Sequence, residues 1–474
     1  MTWIGPAFLY FSYFILGYYA ILYSSYLYLV FSSVYFALAR PRRARLAASG
    51  LQFPATNVPA VTVLVPAHNE ETTIVESVQA LLGMDYPAFE VIIVNDGSTD
   101  ETLHELIRSF SLHRADLVYE PLIPTRPVHG LYISTLDPRL LVVDKAQGGK
   151  SDALNAAINL VRTPWVCCVD ADSILEQDAL LRVMRPAMED GRVVASSGVV
   201  RVANGSLVAA GRVTQVRLPH NWVEMMQVVE YLRGFLQGRL GWSWLNGLIL
   251  VAGSFGIFRT NVLREIGGYS SETITEDLEI VVRLHRHLRF KREPYRVVFV
   301  EDPVCWTEVP ASLSVLSRQR KRWHRGMAET LWMHKDLLFN RRMGLVGFLV
   351  LPLYVLEMLS PLIELIGYVV VPLGAALGLV SREIFFLYLI LTFLLGSLLS
   401  LWAVLLEEYT FRRYNRWRDF AWLVWFGIFE FPFTHPITVV WRVMGLYEFL
   451  VGRRDWGKQE RVGFQHRRTS RRTP

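Results

Sequence analysis

Residues 5–39 carry no charged side chain and are crowded with tyrosine, as in FLYFSYFILGYYAILYSSYLYLVF (8–31). A helix of about 20 apolar residues crosses a bilayer, so two crossings would need about 40 plus a turn. No turn signal interrupts the run. One long helix is expected at 5–39, its N-terminus outside, because the Arg-rich ARPRRAR (39–45) follows it and basic residues resist translocation. A cleaved leader is not expected: the apolar region is too long and no basic segment precedes it.

The C-terminal part repeats the apolar theme. Residues 344–380 are apolar, with Pro352, Pro361, Pro372, Glu357 and Glu364 inside, and 384–406 read as a clear span. Residues 419–451 are apolar and aromatic but broken by Pro432 and Pro436, which suggests a short hairpin or an interfacial pair. Two more basic clusters, RRYNRWR (412–418) and HRRTSRRT (466–473), lie among and after these runs. Placing every cluster inside requires an odd number of spans, three or five. The bilayer already explains the clusters, so nucleic acid is not an expected partner. The whole chain, 52% apolar and +6 in net charge, thus reads as one soluble domain combined with several spans. Its three cysteines, Cys167, Cys168 and Cys305, show no metal-ligand or disulfide spacing, which fits a reducing compartment.

Between the apolar ends, strands and helices alternate. VTVLVPA (61–67), VIIVNDG (91–97), LLVVD (140–144) and WVCCVDAD (165–172) read as buried strands, and helical spacing follows each of the first three. Such alternation predicts a mostly parallel sheet with helices on both faces. Ligands of such sheets bind beyond the carboxyl ends of the strands. The residues at those ends are His68, Asn69 and Glu70, then Asp96 and Gly97, then Lys145, Gly148, Gly149 and Lys150, then Asp170 and Asp172. Asn, Asp and Gly are also ordinary turn residues, but four consecutive strand tips of this kind point to a site. Asp170 and Asp172 can approach one divalent cation, Mg²⁺ or Mn²⁺, which combine a few carboxylates with phosphate oxygens. Lys150, behind Gly148 and Gly149, is placed to meet a diphosphate. Further on, TITEDLEIVVRLHR (273–286) sets Glu276 and Asp277 at a helix start, where they favour the helix dipole or, for Asp277, serve as a general base. VAGSFGIFR (251–259) offers small residues, Gly253 and Ser254 among them, that let another molecule approach.

In this order the motifs resemble the processive family 2 glycosyltransferases, a group that includes cellulose, hyaluronan and bacterial poly-N-acetylglucosamine synthases. The resemblance covers residues 61–326. It implies a GT-A-type α/β domain combined with transmembrane helices, and an inverting transfer of sugar from a UDP-sugar, UDP-GlcNAc or UDP-Glc, to a growing β-linked polysaccharide. It implies uridine binding by His68, Asn69, Glu70 and Asp96, the family's usual Asp-Asp-Gly being Asn-Asp-Gly here. Lys150 and Asp170 are implied at the diphosphate, Asp172 with Asp170 at the metal, and Asp277 as base beside Glu276. QRKRW matches Gln-x-x-Arg-Trp and implies that Gln319 and Arg322 contact donor and acceptor while Trp323 stacks on the acceptor sugar, near Gly253 and Ser254. An interfacial amphipathic helix accounts for the same residues in another way. CWTEVP (305–310) and WGKQERVGF (456–464) resemble segments of bacterial polysaccharide synthases.

The expected layout is a helix at 5–39, a cytosolic catalytic domain at 55–312, an interfacial segment at 313–340, membrane or interfacial helices at 343–451 and a basic cytosolic tail at 452–474. The expected location is the inner (plasma) membrane, with product secreted through the spans. Two other readings remain: a transferase adding one sugar to a lipid carrier, and a transporter subunit with an inactive nucleotide-binding domain. An accessory subunit is left open.

Overall fold

The computed structural model describes residues 4–48, 58–414 and 416–453. WGKQERVGF and the basic cluster at 466–473 therefore lie outside the described residues.

The strand VTVLVPA is β1 (Val61–Ala67), and it pairs in parallel with β2 (Phe89–Asp96) and with β6 (Trp165–Val169). Three further strands precede β6: β3 (Leu112–Arg114), β4 (Val128–Ser134) and β5 (Leu140–Lys145), the last parallel to β2. After it come β7 (Ile174–Leu175), β8 (Val193–Val202), a small hairpin of β9 (Leu207–Ala209) and β10 (Arg212–Gln215), then β11 (Phe255–Arg259) and β12 (Arg296–Thr307). All but the hairpin form one sheet, ordered β3-β4-β5-β2-β1-β6-β11-β8-β12-β7. The four strands legible in the sequence are its parallel centre. The flanks are antiparallel, apart from the parallel β8–β12 pair, so the sheet is mixed.

Strand alternation puts neighbouring side chains on opposite faces, and the core follows it. Leu64 and Cys168 join one apolar cluster with Leu154 and Leu284; Val63, Val65 and Cys167 join another with Val78, Leu106 and Leu180. Burying each of these large side chains contributes about 1.5–3 kcal/mol. Packed on both faces, the sheet can present polar groups only at its edges and strand tips.

Among the described residues, four helices are long and apolar enough to cross a membrane by length and composition, at Gly5–Ser32, Val346–Ala376, Arg382–Thr410 and Trp417–Leu450. The expectation from the sequence was three or five spans; these four helices are candidates for them. The fourth corrects the expected hairpin at 419–451. The chain around Pro432 passes through a π-helical turn, Glu430–Thr434, and continues as the helix His435–Leu450. Widening by one residue absorbs the missing proline N–H without reversing the chain, and Thr434 Oγ1 donates to Glu430 O at 2.7 Å. The same helix runs beside Leu313–Met333, with Lys321 Nζ 3.5 Å from Glu448.

Candidate active site

β1 and β2 end side by side. His68 is exposed, and its Nδ1 lies 2.9 Å from the Asp96 carbonyl. Asn69 takes a left-handed backbone (φ 57), and its Oδ1 accepts from Thr99 N–H at 2.8 Å. The Glu70 carboxylate accepts from Thr73 Oγ1 at 2.9 Å. These three residues therefore cap the two strand tips. Asp96 lies beneath them, buried, with the Gly148 and Gly149 amides donating to its oxygens at 2.9 and 2.7 Å.

Lys150 opens the helix Lys150–Leu160 and brings three distant segments together. Its Nζ lies 2.7 Å from Asp170 Oδ1 and 3.0 Å from Glu276 Oε1, and donates to Gly253 O at 3.4 Å. Burial works against its charge, yet Asp170 and then Glu276 hold the ammonium well above its ordinary pKa. Asp277, half-buried, opens the helix Glu276–Lys291 together with Glu276. Its Oδ2 accepts from Gly253 N–H at 3.2 Å and its Oδ1 from Leu278 N–H at 2.9 Å. Burial, reinforced by the adjacent Glu276 charge, pushes the Asp277 carboxyl up to about 6. A carboxylate poised there can both accept and hold a proton near neutral pH.

The helix Leu313–Met333 carries the QRKRW segment past this group. It comes close because residue 326 is glycine: a Cβ there would stand 2.4 Å from the Thr275 side chain. Gln319 Oε1 is buried without a hydrogen-bond partner among the described residues. The Trp323 ring is 38% exposed, and the Arg320 guanidinium lies 4.6 Å from its centroid. Arg320 in turn donates to Glu230 Oε2 at 2.8 Å. Sequence reasoning missed both Arg320 and Glu230, since nothing local marks a pair so far apart along the chain.

A single cavity of about 890 Å³ unites these groups. Its lining includes Lys150, Asp170, Asp172, Gly253, Ser254, Glu276 and Asp277, together with Gln319, Arg322 and Trp323. All four apolar helices also contribute, through Tyr23, Glu364, Thr392 and Thr434. Tyr19, Tyr23 and Tyr26 of the first helix share one face at i, i+4 and i+7 and line the cavity; the sequence showed their abundance but not their direction. His68, Asn69, Glu70 and Asp96 are not part of this lining. Among the described residues no group of three or more His, Cys, Asp or Glu could hold a metal ion unaided. Asp170 and Asp172 supply two carboxylates, which fits an ion that completes its shell with phosphate oxygens and water.

The chain resembles two curated staphylococcal proteins named poly-beta-1,6-N-acetyl-D-glucosamine synthase. That of Staphylococcus aureus (strain COL) is 27% identical over 309 residues, 64% of this chain and 63% of the relative. That of Staphylococcus epidermidis is 25% identical over 274 residues, 58% of this chain and 56% of the relative. The chain therefore matches less than two thirds of the length of either. In fold it resembles a mannosyltransferase from Pyrobaculum calidifontis solved with GDP-Man and Mn²⁺, with a TM-score of 0.53, 16% identity, and 93% of this chain and 100% of that one covered. Residues 62–120 match the model for glycosyl transferase family 2. Residues 165–444, more than half of the chain, match the model described as glycosyl transferase family group 2, and the chain belongs to that family.

Proposed function

We propose that this chain is a membrane-embedded, processive, inverting glycosyltransferase that polymerises sugar from a UDP-sugar into a β-linked polysaccharide. The observation that carries this reading is the continuity of one cavity. Its lining takes in Lys150, Asp172 and Asp277, Trp323, and residues of all four apolar helices. A transferase that adds a single sugar needs no such exit, and an inactive nucleotide-binding domain needs no carboxylate poised as Asp277 is.

The uridine would lie over the β1 and β2 tips, against His68, Asn69 and Glu70, with Asp96 bracing the floor. The diphosphate would meet Lys150, with Gln319 and Arg322 opposite. Asp170 and Asp172 would hold Mg²⁺ or Mn²⁺, which when bound neutralises charge on the departing diphosphate. The acceptor sugar would stack on Trp323, beside Gly253 and Ser254, with its hydroxyl toward Asp277. Asp277 takes the hydroxyl proton as the acceptor oxygen attacks the anomeric carbon, and the bond from that carbon to the UDP oxygen breaks. One displacement with one base inverts the anomeric centre, the same stereochemical logic as in inverting glycosidases. The polymer would leave along the tyrosine-lined limb.

The relatives' name supports N-acetylglucosamine as the first sugar to offer. The catalytic domain would face the cytoplasm, where UDP-sugars are made, with the apolar helices in the plasma membrane. The test is UDP release by purified protein in detergent, with each of several UDP-sugars alone and in pairs, followed by product sizing. Polymer from one of them is expected; single-sugar products throughout would overturn processivity.

A further inference from the structure

Lys145 ends β5, and its side chain is fully buried. Burying an ammonium is costly unless charge and hydrogen bonds compensate it. Here each of its three protons has an acceptor. Nζ lies 2.7 Å from Asp96 Oδ1, 2.6 Å from Asp152 Oδ1 and 2.6 Å from Ala146 O.

Both carboxylates then grip the loop that follows. Asp96 accepts the Gly148 and Gly149 amides. Asp152 accepts from Arg126 N–H, at 3.3 Å through Oδ1 and 3.1 Å through Oδ2. It also packs on Gly148 so closely that a Cβ there would stand 2.4 Å from its Oδ1. The residue after this pinned turn is Lys150, whose reach to Asp170 and Glu276 depends on where the turn delivers it. Neither Lys145 nor Asp96 lines the cavity, and the loop links Lys145 to Lys150.

We infer that Lys145 is a positioning residue: with Asp96 and Asp152 it forms a buried clasp that presets the Gly148–Gly149 turn and so aims Lys150 at the donor diphosphate. The inference rests on the donor-site reading above. A role confined to stability would make a different prediction: removing the cation leaves the buried Asp96 carboxylate without its ion-pair partner, which lowers the folded fraction but leaves the affinity of the folded molecules alone.

The test is calorimetric titration of UDP, with Mn²⁺ present, into full-length protein in detergent. Lys145→Met should weaken UDP binding by about tenfold or more while binding stoichiometry stays full. Lys145→Arg keeps the charge but not the three-acceptor geometry, and should fall between. Lys150→Met should weaken binding similarly, and adding Lys145→Met to it should cost little more, because both act through one side chain. Additive losses in that cycle would overturn the inference. So would reduced stoichiometry with unchanged affinity in the remaining sites, which marks a folding role alone. Wild-type protein that binds no UDP would overturn the donor-site reading, and this inference with it.

Discussion

The two ends of the cavity are built in different ways. The proposed donor end rests on parallel strand tips: Lys150 follows β5, and Asp170 and Asp172 follow β6, each within a few residues. The proposed acceptor end is assembled from helices remote in sequence. Arg320 meets Glu230, Trp323 faces the same cavity as Tyr23, and Glu364 reaches His435 at 2.8 Å. A local arrangement tolerates change elsewhere in the chain, whereas an assembled one depends on every helix that contributes. Chemistry should therefore fail sharply when the donor end is cut, and product length should fail first when the acceptor end is cut.

The largest expected effect is at Asp277. Asp277→Asn keeps size and most hydrogen bonding but cannot take the proton, so turnover should fall about a hundredfold to ten-thousandfold. UDP affinity should survive. Near-normal turnover would return Asp277 to the role of helix cap.

Removal of the metal site comes next. Asp172→Ala, or EDTA with wild-type protein, should cost about a hundredfold or more in rate, the scale of a lost electrostatic contact to a developing charge. Full activity in EDTA would place the divalent ion outside the mechanism.

The join between the two regions can be broken without touching either site. Arg201 on β8 and Glu407 on the helix Leu395–Thr410 are both 2% exposed and form a two-pronged ion pair at 2.8 and 2.5 Å. Arg201→Met leaves a buried carboxylate unpaired, which destabilises by about 3–5 kcal/mol. Thermal unfolding should show it. Replacing both partners with apolar residues should restore most of the stability.

A pH profile sharpens the account of the base. As the proposed base, the Asp277 carboxyl, raised to about 6 by burial and by Glu276, would have to be ionised to act. The rate at limiting donor should therefore drop about tenfold per unit as pH falls below that value. Stability moves the other way. A carboxyl whose folded pKa exceeds its unfolded value contributes stability that is full below the unfolded pKa and is lost as pH rises through the folded one. Acid should thus slow the enzyme while this group favours the fold. A flat rate profile between pH 5 and 7 would contradict the assignment.

The same contrast explains what the sequence made legible. A strand tip is a local object: an apolar run, then a turn, then the functional residue, and so β1, β2, β5 and β6 with their tips could be read directly. A strand such as β8 escaped because Ser196, Ser197 and Gly198 interrupt the apolar run of VVASSGVVRV, which also lacks alternation. The role of Lys145 escaped because its partners, Asp96 and Asp152, meet it only in three dimensions. The membrane part was misread at Pro432, where proline was taken to reverse the chain but a π-helical turn absorbs it. The tyrosines of the first helix could be counted, but their common face mattered only once the cavity was seen.

Trp323 tests the joining of donor and acceptor ends most directly. Trp323→Ala removes the flat surface proposed for the acceptor sugar and leaves Lys150, Asp172 and Asp277 in place; Trp323→Phe keeps a smaller one. The measurement is product length per UDP released, in proteoliposomes, for wild type and both variants. The account predicts that Trp323→Ala still binds UDP and releases it slowly from donor but makes little or only short polymer, with Trp323→Phe between the two. An unchanged length distribution in Trp323→Ala would contradict it.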